Sequence, residues 1–190
     1  ELAPTHVIVN IDENEKPMVE EIARFAPHVV VTHPLLPRDN LVLYRLLGGI
    51  FHRAREASAL AHRFEEAWRE AARACAALPR ENVLYLIWKK PWMTVARNTY
   101  ISAMLGALRW DTVPETSAER YPRLQLETAF VAGARIVLLS SEPYRFRSRD
   151  IDEVRRQAPP QARLHLIDGE MVSWYGSRAI AGLAYLADFR

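Results

Sequence analysis

From Ala54 to Leu78 the chain contains neither glycine nor proline and is built largely of alanine, glutamate and arginine. Such a segment is helical on propensity alone, and glutamate–arginine pairs three or four residues apart add to it. Leu60, Phe64, Ala67, Trp68 and Ala71 run down one side, which gives the helix an apolar stripe to bury. At roughly 1.5 Å per residue it spans about 40 Å. That is longer than a strand-to-strand crossover requires, and long enough to join two lobes.

On both sides of this segment, short apolar runs alternate with helical patterns. Thr5–Asn10 and Val29–Thr32 read as buried strands, because strands covered on both faces are continuous apolar runs. Between them Pro17 opens a helix carrying Met18, Ile22 and Phe25, and Pro27 ends it. Asp39 or Asn40 is placed to cap a helix with Leu43, Leu46, Leu47 and Ile50 on one stripe. Beyond Pro79, strands are expected at 83–88, 135–140 and 163–167, and helices at 98–108, 124–132, 148–157 and 178–189, with 111–122 a loop. The expected fold is α/β, with two Rossmann-like lobes joined by one long backbone helix. Residues 1–53 form a partial N-terminal lobe, 54–79 the connecting helix and 80–190 the C-terminal lobe. The first lobe has only two strands, too few for independent stability, and is expected to be incomplete in this chain.

The formal net charge of +2 comes from arginines interleaved with acids, with no basic cluster of the kind that tracks nucleic acid. No apolar run reaches the roughly 18–20 residues that cross a bilayer, so no transmembrane segment is expected. Cys75 is the sole cysteine, which rules out an intrachain disulfide and leaves the compartment open. The sequence starts at Glu1 and not at methionine, so a leader and further residues are expected to have been removed or cut away ahead of it.

Catalytic signatures are lacking: there is no glycine-rich phosphate loop, no G-x-S-x-G elbow and no paired helical histidines. The expectation is a protein that holds a ligand, with no catalytic residue and no resident cofactor. In parallel sheets ligands sit outside the carboxyl ends of strands. That rule selects Asn10, Asp12 and Glu13, His33, Trp88 and Trp92, Ser141 and Glu142, Asp168 and Glu170, with Trp174 and Tyr175 just beyond. The aromatic members suit a broad apolar ligand, because indoles supply large contact areas with few rotors to freeze. The alternative role for each of them is a plug for the lobe core. His33 with Asp12 or Glu13 keeps open a receptor for a bare divalent cation, although a tight zinc site usually wants three or four ligands. An enzyme on the same scaffold, such as a chelatase, is the third reading.

Five stretches, Ala3–Val9, Val83–Met93, Tyr121–Glu127 with its aromatic-Pro-x-x-x-x-Glu pattern, Leu138–Tyr144, and Asp168–Glu170 with Ser173–Arg178, carry a resemblance in register. They resemble the cobalamin-binding proteins among the helical-backbone (class III) periplasmic solute-binding proteins, receptors for cobalamin, haem and ferric siderophores. The resemblance implies a periplasmic substrate-binding component of an ABC-type importer, holding cobalamin or a related tetrapyrrole or metal chelate in a cleft between lobes. On this reading Trp88, Trp92, Trp174, Tyr175, Glu13, His33 and Glu142 contact the ligand. Glu127 docks on the transporter permease; otherwise it is a helix N-terminal charge favoured by the macrodipole. The family has a further stretch before the strand that follows Pro4. If the mature protein begins near Glu1, another chain is expected to complete the N-terminal lobe.

Overall fold

Val83, Tyr85, Ile136 and Leu138 alternate along the sequence with Leu84, Leu86, Val137 and Leu139, and all are buried. Strands with both faces covered belong at the centre of a parallel sheet. A computed structural model, which describes residues 2–190, places them there. The described residues divide into two compact units, one ending at Pro34 and the other running from Leu35 to Arg190.

The first unit holds β1 (His6–Asn10), α1 (Lys16–Ile22) and β2 (His28–Thr32). The strands pair in parallel, with His6 opposite His28 and Asn10 opposite Thr32. At the carboxyl end the Asn10 carboxamide donates to the Thr32 carbonyl at 3.0 Å, and the Thr32 hydroxyl donates to the Val9 carbonyl at 2.9 Å. Both polar side chains are thereby buried with partners.

The second unit runs α2 (Asp39–Ile50), α3 (Ala54–Cys75), β3 (Glu81–Leu86), α4 (Tyr100–Ala107), β4 (Trp110–Thr112), α5 (Leu126–Val131), β5 (Ile136–Ser140), α6 (Ser148–Arg155), β6 (Arg163–Ile167), α7 (Gly169–Ser173) and α8 (Arg178–Phe189). Its four strands are parallel, in the order β4-β3-β5-β6. Val83, Tyr85, Ile87, Ile136 and Leu138 face α3, α4 and α8. Leu84, Leu86, Val137 and Leu139 face α5 and α6. The period-two side-chain alternation of a strand thus supplies two cores from one sheet.

The long helix is present and ends at Cys75, with a turn from the Leu78 N–H to the Cys75 carbonyl before Pro79. A residue preceding proline is pushed out of the helical region, which stops the pattern there. Arg109 donates to the freed Ala76 carbonyl at 2.9 Å. At about 1.5 Å per residue the helix is roughly 33 Å long. It is packed along its length against α2 and α8. Phe64, wholly buried, stacks with Trp68 at 6.4 Å and meets Tyr44 edge-on at 6.3 Å. A Cβ on Gly48 would lie 2.5 Å from the Ala57 Cβ, so glycine is what lets α2 approach α3.

The unit boundary at Pro34 lies ahead of the 53/54 division drawn from the sequence. The reason is α2, which bonds to residues far along the chain: Asn40 to Tyr100 and Gly176, and Tyr44 to Gly176. Capping also differs from expectation. The residue at the cap position is Arg38, without a side-chain cap, while Asp39 turns back to accept from the Leu35 and Leu36 N–H groups at 2.8 Å each. The expected loop 111–122 begins with β4, whose register is set by β3.

Candidate functional site

At the carboxyl ends of β3, β5 and β6, three segments meet on the loop that follows β5. Within that loop Tyr144 faces the Trp88 ring edge-on at 5.8 Å. Phe146 stacks on Trp92 at 6.2 Å with the planes 6° apart. Glu142 accepts a hydrogen bond from the Trp174 indole N–H at 2.6 Å. Backbone bonds hold the loop to its neighbours: the Tyr144 N–H donates to the Ile87 carbonyl, and the Ser141 N–H to the Ile167 carbonyl. The Ser141 hydroxyl accepts from the Gly169 N–H at 2.8 Å. A Cβ on Gly169 would come within 2.3 Å of the Ser140 Oγ and 2.5 Å of the Glu142 Cγ. Glycine is required for α7 to start this close to the end of β5.

Beside this loop lies a hollow of about 690 Å³, bounded by Ser141, Glu142, Arg145, Phe146, Asp168 and Glu170 among others. Its size falls in the range of small-molecule sites. Its acids are engaged. Asp168 caps α7 by accepting from the Glu170 N–H at 3.0 Å. Glu170 pairs with Arg178 at 3.1 Å, and the Arg178 guanidinium lies 5.7 Å from the centre of the Trp174 ring.

Beneath the rim are two buried polar arrangements. The Tyr85 hydroxyl, fully buried, donates to the Ser140 Oγ at 3.0 Å; burial pushes its pKa up to about 12, so it stays a neutral phenol. Lys89 reaches Asp150 at 2.7 Å and Glu153 at 2.6 Å, joining the loop after β3 to α6. Hydrogen bonds to Asp150 and Glu153 hold the Lys89 ammonium above its ordinary range. Burial pushes the Asp150 carboxyl up, but Lys89 and the Arg147 N–H outweigh it and hold the group below its usual value.

The residues expected from the sequence sort into three groups. Trp88 and Trp174 are exposed, at 40% and 49%, and present ring surface at the strand ends. Trp92 and Tyr175 are half-buried: Trp92 packs against the core on the α5–α6 side, and Tyr175 meets Tyr100 edge-on at 6.0 Å. Glu142 spends a carboxylate oxygen on Trp174. In the first unit, Glu13 is exposed in the turn after β1, and His33 follows β2 with its Nε2 3.6 Å from Asp12. Among the described residues no three histidine, cysteine, aspartate or glutamate side chains gather as a metal site. Glu127 is exposed in the first turn of α5; its sequence neighbours Gln125 and Thr128, with Pro91, Pro114 and Pro122, line a hollow of about 560 Å³.

Sequence reasoning missed Tyr144, Phe146 and Arg178 as parts of this arrangement. The first two sit four and six residues past β5, near enough to its carboxyl end for the strand-end rule to have reached them. Arg178 carries no local signal, since its contacts with Glu170 and Trp174 depend on how α7 turns into α8.

No protein-family model matches the chain, and no curated protein matches its sequence. Solved structures do match its fold. A periplasmic haem-binding protein from Pseudomonas aeruginosa superposes with a TM-score of 0.81 at 18% identity, over 98% of this chain and 71% of that one. The periplasmic haem-binding protein RhuT from Roseiflexus gives 0.80 at 17% identity, over 97% and 74%. The periplasmic vitamin B12 binding protein BtuF of Vibrio cholerae gives 0.78 at 12% identity, over 97% and 73%. The fold is that of the class III periplasmic binding proteins.

Proposed function

We propose that this protein is the substrate-binding component of an ABC-type importer and holds a broad, flat metal chelate of the cobalamin or haem kind without transforming it. The observation that carries the reading is the pair of exposed indoles, Trp88 and Trp174, held against the loop after β5 from two neighbouring segments. Large exposed rings fixed at the carboxyl end of a parallel sheet suit a ligand with extensive apolar surface. The solved proteins of this fold named above bind haem or vitamin B12, which supports both the ligand class and a periplasmic location. On this reading a separate permease passes the ligand across the membrane, with Glu127 as a docking charge; no helix among the described residues is long and apolar enough to cross a membrane.

The test is titration of the purified protein with cyanocobalamin and with haemin, following tryptophan quenching and the visible spectrum. Saturable quenching with a shifted absorption band at one-to-one stoichiometry is expected. No change with either ligand, together with stoichiometric binding of zinc or manganese, would replace this reading by a bare-cation receptor built on Asp12 and His33, whose contact at 3.6 Å is the observation on its side.

A further inference from the structure

Trp174 is half exposed, yet its ring is restrained at two points. Its N–H donates to the Glu142 carboxylate at 2.6 Å, a short charge-assisted bond. The Arg178 guanidinium lies 5.7 Å from the ring centre and is itself tied to Glu170 at 3.1 Å. An indole has one polar atom and it donates only, so the bond to Glu142 uses all of its hydrogen-bonding capacity. What is left is π surface. Glu142 is in turn seated by a hydrogen bond from its own N–H to the Ser140 Oγ at 3.3 Å, at the end of the central strand β5. The ring is therefore referred to the rigid sheet and not only to its own loop.

We propose that Glu142 and Arg178 are positioning residues for Trp174, fixing it as a flat platform whose N–H is withheld from the ligand. The site then selects a planar, π-rich group and discriminates against one that needs a donor at this point. This rests on the ligand-holding reading above. Glu142 was expected from the sequence to contact the ligand directly; here it acts through the indole. Fixing the ring before the ligand arrives removes rotor entropy that binding would otherwise cost.

Two measurements test it. The first needs no ligand: in the ¹⁵N-labelled protein the Trp174 indole N–H resonance, assigned by Trp174→Phe, is expected downfield of a solvent-exposed indole and slow to exchange. Glu142→Ala should move it upfield and speed its exchange, and Glu142→Gln, which keeps an acceptor oxygen, should restore most of the shift. The second is affinity for haemin and cyanocobalamin. Glu142→Ala should weaken binding about tenfold, the scale of one lost charge-assisted bond, while Glu142→Gln stays near wild type. In a Trp174→Phe background Glu142→Ala should have no further effect. An indole resonance that ignores Glu142→Ala overturns the proposal, as does an equal loss of affinity in both backgrounds. If the wild-type protein binds neither probe, the ligand reading fails, and the indole resonance still decides whether Glu142 positions Trp174.

Discussion

The Asn40 carboxamide oxygen accepts a hydrogen bond from the Gly176 N–H at 2.6 Å, tying the first turn of α2 to the loop that carries Trp174 and Tyr175. The other end of the same carboxamide donates to the Pro37 carbonyl at 2.7 Å and to the Tyr100 hydroxyl at 3.0 Å. The Tyr44 hydroxyl donates to the Gly176 carbonyl at 2.8 Å. Gly176 has a φ of +72°, so this turn is one that glycine adopts without strain. Asn40 is completely buried, and with all these partners in place it costs nothing in unmet polarity.

Asn40→Ala should therefore destabilise the protein by about 2–3 kcal/mol, because it strands the Gly176 N–H and leaves Tyr100 without its partner. Asn40→Asp keeps the acceptor but loses the donor and buries a charge, so it should be no milder. Urea denaturation followed by circular dichroism gives both values. Cleavage by a protease at loop 174–177 should accelerate in parallel, since this bond is one of the loop's anchors.

The Lys89–Asp150–Glu153 cluster sets a pH window. Lys89 is held above its unfolded value, so its contribution is complete below about pH 10 and is lost as pH rises through the higher folded value. Asp150 is held below its unfolded value, so its contribution is complete above about pH 4 and is lost as pH falls through the lower folded value. Stability from this cluster should be flat between these limits and fall outside them on both sides. Lys89→Met should flatten both the acid and the alkaline limb of the profile and cost about 3 kcal/mol near neutrality, because Asp150, only 1% exposed, would keep the Arg147 N–H but lose its charged partner. Thermal denaturation of wild type and variant from pH 3 to pH 11 measures the profile.

How much of this was legible in the sequence depends on how local the cause is. The helix from Ala54 and the strands around Leu84 and Leu138 are written in propensity and in unbroken apolar runs; they lie within a few residues of where they are expected, as does the shorter, mixed strand around Leu164. β4 is three residues long and α7 five. Both exist because of neighbours they pack on, and neither leaves a periodic trace. The strand-end rule located Trp88, Glu142 and Trp174, since topology alone puts them on one edge. It offered no way to separate Trp88 from Trp92, four residues apart, because the packing of Phe146 and the cluster around Leu84 and Phe130 on Trp92 is what covers one ring more than the other. Asn40 looked like a cap residue from its place at a helix start. Its buried role comes from Tyr100 and Gly176, which no short window of sequence connects to it.

Two glycines inside helices should respond in opposite directions to alanine. In α8 a Cβ on Gly182 would lie 2.2 Å from the Met171 carbonyl oxygen, a backbone atom of α7 that has no rotamer to yield. Overpacking of this kind costs about 1–3 kcal/mol and outweighs the roughly 1 kcal/mol by which a helix prefers alanine. In α4 a Cβ on Gly106 meets nothing within 4 Å, so Gly106→Ala should gain about 0.5–1 kcal/mol. Paired denaturation curves with unchanged m-values check both.

Trp88 and Trp92 give the sharpest separation of ligand contact from packing. Trp92 lies against Phe146 with the rings nearly parallel, has the Lys89 ammonium 5.9 Å from its centre, and packs against a buried cluster that includes Leu84 and Phe130. Trp92→Ala should cost about 3 kcal/mol or more through the cavity it leaves. Trp88 is 40% exposed and touches Tyr144 by an edge, so Trp88→Ala should cost less than about 1 kcal/mol. On affinity for haemin or cyanocobalamin the order should reverse. Trp88→Ala should weaken binding at least tenfold, because a ring that contributes little to the fold is free to contribute its surface to a ligand. Trp92→Ala should weaken it only as far as the loop loosens, a loss that Trp92→Phe should recover. Denaturation and fluorescence titration on the three variants decide it. Equal effects of Trp88→Ala and Trp92→Ala on both measurements would place the ligand somewhere other than the end of β3.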